Sequence, residues 1–228
     1  MYIVTGFYTP NYSEIAEVFR RNLLEHSVPH KLYSVDMLGG TWQVQTLRKP
    51  EIALRALDEH PDKSVILMDV DCSVQGELSP LLIPQCDIAV YPLRNKRRGT
   101  LSASTRVVVL HQTEGARRLL KVWHQKCQDV IKPVLSKEIT TWKRHIAEAS
   151  DETLLRQAID ENPDVIVASL PPYYAGHSSR PDALVKHESA HDRFVWHERM
   201  NAQIKKIRRR LVEKIVGRPY KEWKYDIE

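Results

Sequence analysis

Residues 65–68 read Val-Ile-Leu-Met without a polar interruption, and Asp69-Val70-Asp71 follows at once. An unbroken apolar run of strand length belongs to a strand covered on both faces. Such a strand needs helices above and below its sheet, and the surrounding sequence supplies them. Tyr2 to Val4 begins a strand, a helical pattern runs from about Asn11 to His26, and KLYSV at 31–35 returns to strand. Asn11 with Glu14 three residues on has the form of a capping box, and Ile15, Val18, Phe19 and Leu23 make the apolar stripe. After Gly39-Gly40, a helix is predicted over Lys49–Glu59, ended by Pro61.

The alternation continues beyond the acidic pair. DIAVY at 87–91 and STRVVVL at 104–110 are strand-like, RNKRRG at 94–99 reads as an exposed loop, and Thr113 caps a helix carrying Ala116, Leu119, Leu120 and Trp123 on one face. Ser150 caps another helix through Ile159, and DVIVASL at 164–170 is again a strand. The expected architecture is α/β with a mostly parallel central sheet flanked by helices.

The last segment differs in kind. Residues 193–228 carry 11 basic and five acidic side chains, a net +6, leaving −1 for residues 1–192. Trp196, Met200, Ile204, Ile207, Leu211 and Ile215 form one helical stripe beside Lys205, Lys206, Arg208, Arg209 and Arg210. We therefore expect a domain over 1–192 and a basic amphipathic helical tail over 193–228. The tail has three readings: docking on its own domain, contact with anionic lipid, or attraction to nucleic acid.

Composition narrows the setting. Hydrophobic residues at 42% and charged residues at 28% support a buried core and exclude wholesale disorder. No apolar run approaches membrane-span length, and no basic segment followed by an apolar stretch opens the chain. Three scattered cysteines without a CxxC suggest neither a disulfide framework nor a zinc site. The expected location is the cytoplasm, with the tail offering a peripheral membrane contact.

Asp69 and Asp71 carry the clearest chemical signal. Ligands of open α/β sheets gather at the carboxyl ends of strands, and two carboxylates there can share a hard divalent cation. The bland alternative is an aspartate that closes a strand as a turn residue. In haloacid-dehalogenase-like phosphatases the motif occupies the first strand and Thr or Val follows after one residue. Here it follows the third strand, and Ser73 holds that position.

With its order of segments, the chain resembles the GT-A-fold glycosyltransferases, in particular the glycogenin-like and galactosyltransferase-like members of the nucleotide-diphospho-sugar transferase superfamily. The resemblance spans residues 1 to about 193. It rests on YIVTGFYTPNY, RKPEIALRAL, VILMDVDCSVQGEL, GTLSASTRVVVL, a helix carrying VWHQ, SDETLLRQAI and ALVKHESAHDR. It implies that Thr5, Gly6 and Tyr8 meet the nucleotide, and that Lys49 sits near the base or ribose. It also implies that Asp69, Asp71 and His187 hold Mn2+ or Mg2+ on the donor diphosphate, His187 being favoured over His191. Asp151 would orient donor hydroxyls and Glu152 would act on the acceptor. Thr100, Ser102 and Ser104 are candidates for the donor sugar. The family's Gly-rich, Lys-containing continuation after His187 is replaced by ESAHDR, where Arg193 could serve as the phosphate clamp.

The activity so implied is metal-dependent transfer of a sugar from a nucleoside-diphosphate sugar to a hydroxyl on a glycan, a glycolipid or a modified DNA base. Two rivals stand beside it: a sugar-nucleotide or nucleic-acid binding module without turnover, and a phosphohydrolase using Asp69 as nucleophile.

Overall fold

The computed structural model describes residues 1–38, 42–94, 101–136, 149–170, 176–177 and 183–187, without the side chains of 93–94, 101–102 and 176–177. These residues lie in a compact unit spanning Met1–Glu188. The tail expected over 193–228 lies outside the described residues.

In chain order the elements are β1 (Tyr2–Tyr8), α1 (Ser13–Glu25), β2 (His30–Ser34), α2 (Trp42–Thr46), α3 (Lys49–Glu59), β3 (Ser64–Met68) and β4 (Cys72–Val74). They continue with β5 (Ile88–Arg94), β6 (Leu101–Leu110), α4 (Glu114–Leu135), α5 (Asp151–Asp160), β7 (Val167–Ser169), β8 (Gly176–His177) and β9 (Val185–His187). The main sheet has the order β2-β1-β3-β6-β5-β7. Five of its strands point one way and β6 alone runs against them. The expected α/β architecture with a mostly parallel sheet is therefore the observed one. The reversal of β6 arises because β5 and β6 pair as consecutive antiparallel strands.

The apolar run of β3 is buried on both faces. Val65 and Leu67 pack into one core with Ile52, Ala56 and Leu57 of α3, Leu119 and Trp123 of α4, and Leu154 and Leu155 of α5. Ile66 and Met68 pack into the other with Ala16, Phe19 and Leu23 of α1 and Val74 and Val185 of the small sheet. Each large side chain so buried contributes about 1.5–3 kcal/mol.

Of the three helix caps expected from the sequence, two form. Thr113 and Ser150 each accept a hydrogen bond from the third helical N–H, at 3.1 Å from Ala116 and 3.2 Å from Thr153. At α1 the capping box does not form. Pro10–Tyr12 instead makes a 3-10 turn, and the Asn11 side-chain oxygen accepts from the Thr9 hydroxyl at 2.6 Å. The stripe of α1 shifts as well: Ala16 is buried and Val18 is half exposed.

A second sheet, β4-β9-β8, stands beside the acidic motif. β4 pairs antiparallel with β9, placing Cys72 opposite His187. Asn22 of α1 holds this sheet by both backbone groups of Val74, accepting from its N–H at 2.7 Å and donating to its carbonyl at 3.0 Å.

Candidate active site

The functional side chains converge where β1 and β3 end, because α3 and α5 begin there and β6 enters from the same end. Chain tightness fixes the spot. A Cβ on Gly6 would lie 2.6 Å from the carbonyl oxygen of Met68, so β1 and β3 approach this closely only with glycine at that position. Thr5 beside it is fully buried, and its hydroxyl donates to the Lys31 carbonyl of β2 at 3.0 Å. Tyr8 ends β1, with its phenol facing Arg20.

Asp69 and Asp71 leave the tip of β3, and register brings the third group. Pairing of Cys72 with His187 sets His187 Nε2 3.2 Å from Asp71 Oδ1. One ligand atom from each of Asp69, Asp71 and His187 lies within 4.8 Å of the other two. Nδ1 of His187 is buried and meets no hydrogen-bond partner among the described residues. The two carboxylate oxygens suit Mn2+ or Mg2+ by donor type, and the imidazole nitrogen favours Mn2+ of the two, so these side chains fit such an ion.

A second cluster adjoins the first through Asp69. Lys49, at the start of α3, is 3% exposed, and its Nζ lies 2.8 Å from Asp69 Oδ1 and 2.9 Å from Asp151 Oδ2. The ammonium also donates to Thr105, at 3.0 Å to Oγ1 and 3.2 Å to the carbonyl. Thr105 Oγ1 in turn donates to Asp151 Oδ2 at 2.6 Å. A cation at a helix N-terminus opposes the helix dipole, whereas Asp151 at the start of α5 is favoured by it. The two carboxylates decide the outcome for Lys49. Burial alone would strip its proton, but Asp151 and Asp69 outweigh burial and hold the group as an ammonium, above the usual lysine range.

The carboxylates respond in kind. Burial pushes Asp69 up, Lys49 pulls it back, and Asp71 adds to the rise. Glu152 is raised mainly by burial and then by its neighbour Asp151, with Lys49 and Arg106 opposing. Tyr12 is raised by burial and next by Asp71 and Asp69, which places its phenol in the field of the acidic pair.

The resemblance implied that Lys49 sits near the base or ribose, and the structure places its Nζ between Asp69 and Asp151. Thr100 lies outside the described residues, as do His191 and Arg193, and of Ser102 only the backbone is described. Ser104 is buried, its Oγ accepting from the Arg106 N–H at 3.4 Å.

Three residues at the site escaped the sequence reading: Tyr12, Thr105 and Arg106. The last two owe their position to a β-bulge. Val90 pairs with Val108 but Tyr91 pairs with Ser104, so Thr105, Arg106 and Val107 have no partner on β5. Bulges of this kind re-aim side chains beside functional sites. The polar Ser-Thr-Arg lead into VVVL was the available signal, but a count of alternating positions cannot place an irregularity.

No protein-family profile and no curated protein matches this sequence. Solved structures do match it. A glycosyltransferase involved in the glycosylation of the major capsid of PBCV-1 superposes with a TM-score of 0.54 at 13% identity, over 82% of this chain and 93% of that one. The chain has the GT-A glycosyltransferase fold. The GT-A likeness extends to glycosyltransferase GlyE of Streptococcus pneumoniae TIGR4, with a TM-score of 0.51 and 13% identity over 82% of this chain and 55% of GlyE. It also extends to the galactosyltransferase LgtC, solved with donor and acceptor sugar analogs, with a TM-score of 0.50 and 11% identity over 82% of this chain and 87% of LgtC. The GT-A fold alone does not name a reaction. The side chains gathered at the carboxyl end of its sheet must do that.

Proposed function

We propose that this protein is a metal-dependent glycosyltransferase of the hexosyltransferase type, moving a sugar from a nucleoside-diphosphate sugar to a hydroxyl acceptor. The observation that carries the reading is the meeting of Asp69, Asp71 and His187 at the end of β3, beside a buried Lys49 that ties Asp69 to Asp151. Asp69, Asp71 and His187 would hold Mn2+ or Mg2+. When bound, the ion supplies positive charge against the donor diphosphate, whose charge grows as the sugar departs.

The remaining roles fall to the chain. In transfer, the bond between the anomeric carbon and the diphosphate oxygen breaks, and its electron pair leaves with the diphosphate. The acceptor oxygen bonds the anomeric carbon and loses its proton. Glu152 is the group we assign to take that proton, because its raised carboxyl brings its basicity toward neutral pH. Asp151 has Oδ2 engaged by Lys49 and Thr105, which locks the carboxylate and leaves Oδ1 to orient donor hydroxyls. Tyr8 would line the nucleotide side with the buried Thr5 and Gly6 setting the backbone behind it, and Thr100 and Ser102 would line the sugar side. Lys49 fixes Asp69 and Asp151 in one geometry, a preorganisation that costs nothing at the moment of reaction.

The acceptor is a glycan, a lipid-linked glycan or a hydroxylated DNA base. The net +6 of residues 193–228 suits an anionic surface, and a salt series with anionic vesicles and with duplex DNA separates lipid from nucleic acid.

The test is a thermal-shift panel of UDP-, GDP-, ADP- and CDP-sugars with and without Mn2+, followed by donor turnover. One donor should raise the melting temperature only with the metal and then be consumed. Binding without turnover would favour a non-catalytic binding module. Phosphate release from simple monoesters through an aspartyl intermediate at Asp69 would favour a phosphohydrolase.

A further inference from the structure

Two basic side chains serve this site, and their surroundings differ. Lys49 is buried and contacts two carboxylates within 3 Å. Arg106 is only partly buried, and none of the ion pairs among the described residues includes it. Its position is nonetheless fixed. The carbonyl of Arg106 accepts from the Asp69 N–H at 3.1 Å, so the residue starts directly opposite the first acid of the motif. The bulge over Thr105–Val107 releases it from pairing with β5. Its charge acts on Glu152 at the start of α5.

Beside this acidic group, the Arg106 guanidinium is held in no ion pair among the described residues and can face a ligand anion. A planar guanidinium is suited to recognising paired phosphate oxygens.

We infer that Arg106 is a donor-binding residue that receives the donor's diphosphate beside Asp69, where the bulged stretch of β6 lies opposite the tip of β3. The inference rests on the sugar-transfer reading and adds to it a cationic contact from the middle of the chain, where the sequence had offered Arg193 as the clamp. With the diphosphate held on two sides, the departing charge is met by a fixed donor pair as well as by the ion.

The test compares wild type, Arg106→Gln and Arg106→Lys for binding of UDP, GDP, ADP and CDP, of the matching nucleosides and of a UDP-sugar with a carboxylate on its sugar, all with Mn2+. Unliganded melting is measured for each protein. Loss of a charge-assisted contact should weaken the preferred diphosphate about tenfold or more in Arg106→Gln, with nucleoside binding unchanged and partial recovery in Arg106→Lys. The unliganded melting temperature should stay near wild type. Equal diphosphate affinity in wild type and Arg106→Gln would overturn the inference and leave the sugar-transfer reading standing. A loss confined to the carboxylate-bearing donor would also overturn it, by moving the anion onto the sugar. Failure of wild type to bind any nucleoside diphosphate with Mn2+ would overturn the reading and the inference together. Should Arg106→Gln melt early, the Arg106→Lys protein decides: native melting with weakened diphosphate binding supports the role, and native melting with unchanged binding of every diphosphate refutes it.

Discussion

Asp69 and Asp71 are the same residue type two positions apart, yet the fold gives them opposite circumstances. Asp69 Oδ1 sits 2.8 Å from a buried ammonium that also grips Asp151. Asp71 faces an imidazole at 3.2 Å across the first pair of a short second sheet. One half of the site is a locked ionic knot between α3, β3, β6 and α5. The other half is a junction between two sheets, where Asp71 and His187 meet. The difference teaches where stability and where ligand binding reside: the knot holds the geometry, and the junction brings together donor atoms that a cation can share.

The strongest way to break this contrast is Lys49→Met. It would leave Asp69 and Asp151 facing each other without their cation, costing about 3–5 kcal/mol in unfolding free energy. Acid should relieve part of that loss, since protonating the carboxylates removes the repulsion, so chemical denaturation at neutral and acidic pH checks both halves of the expectation. Asp71→Asn should behave in the opposite manner. Donor turnover should fall about 100-fold or more and stabilisation by Mn2+ should vanish, with an unfolding free energy within about 1 kcal/mol of wild type. Comparable loss of stability in the two variants would erase the distinction.

Gly6→Ala sharpens it from the backbone side. The added methyl meets a main-chain oxygen at 2.6 Å, so β1 and β3 must part, and we expect a loss of about 1–3 kcal/mol together with weaker Mn2+ binding as Asp69 shifts. The smallest effect on stability is expected for Glu152→Gln. Burial and Asp151 raise the folded-state pKa of Glu152, so the folded protein keeps a proton that the unfolded chain has released. Its ionisation then lowers stability as pH rises from the ordinary carboxylate range through the raised value. Removing the charge should raise the melting temperature slightly at neutral pH, and the gain should disappear below the carboxylate range. Melting curves across pH test this directly.

Much of this arrangement was readable beforehand, for identifiable reasons. The strand over Ser64–Met68 was legible because burial on both faces leaves an uninterrupted apolar run. The starts of α4 and α5 were legible because Thr113 and Ser150 cap locally, within three residues of their partners. The start of α1 was misread because Thr9 takes the Asn11 side chain and Pro10 sets a tighter turn, a competition that spacing does not reveal. The candidate metal residues were proposed from strand order and resemblance. Their convergence required His187 to find Cys72 across more than 100 residues of chain.

The sequence by itself determined the alternation of strands and helices, the acidic pair at a strand tip and the separate charge of residues 193–228, because periodicity, capping and charge are local properties. Tertiary structure alone decided that Lys49 would lie between Asp69 and Asp151, that β6 would run backward, and that a bulge would present Thr105 and Arg106 to the site. Those outcomes depend on register and close approach between distant segments, where a shift of one residue sends a side chain to the other face.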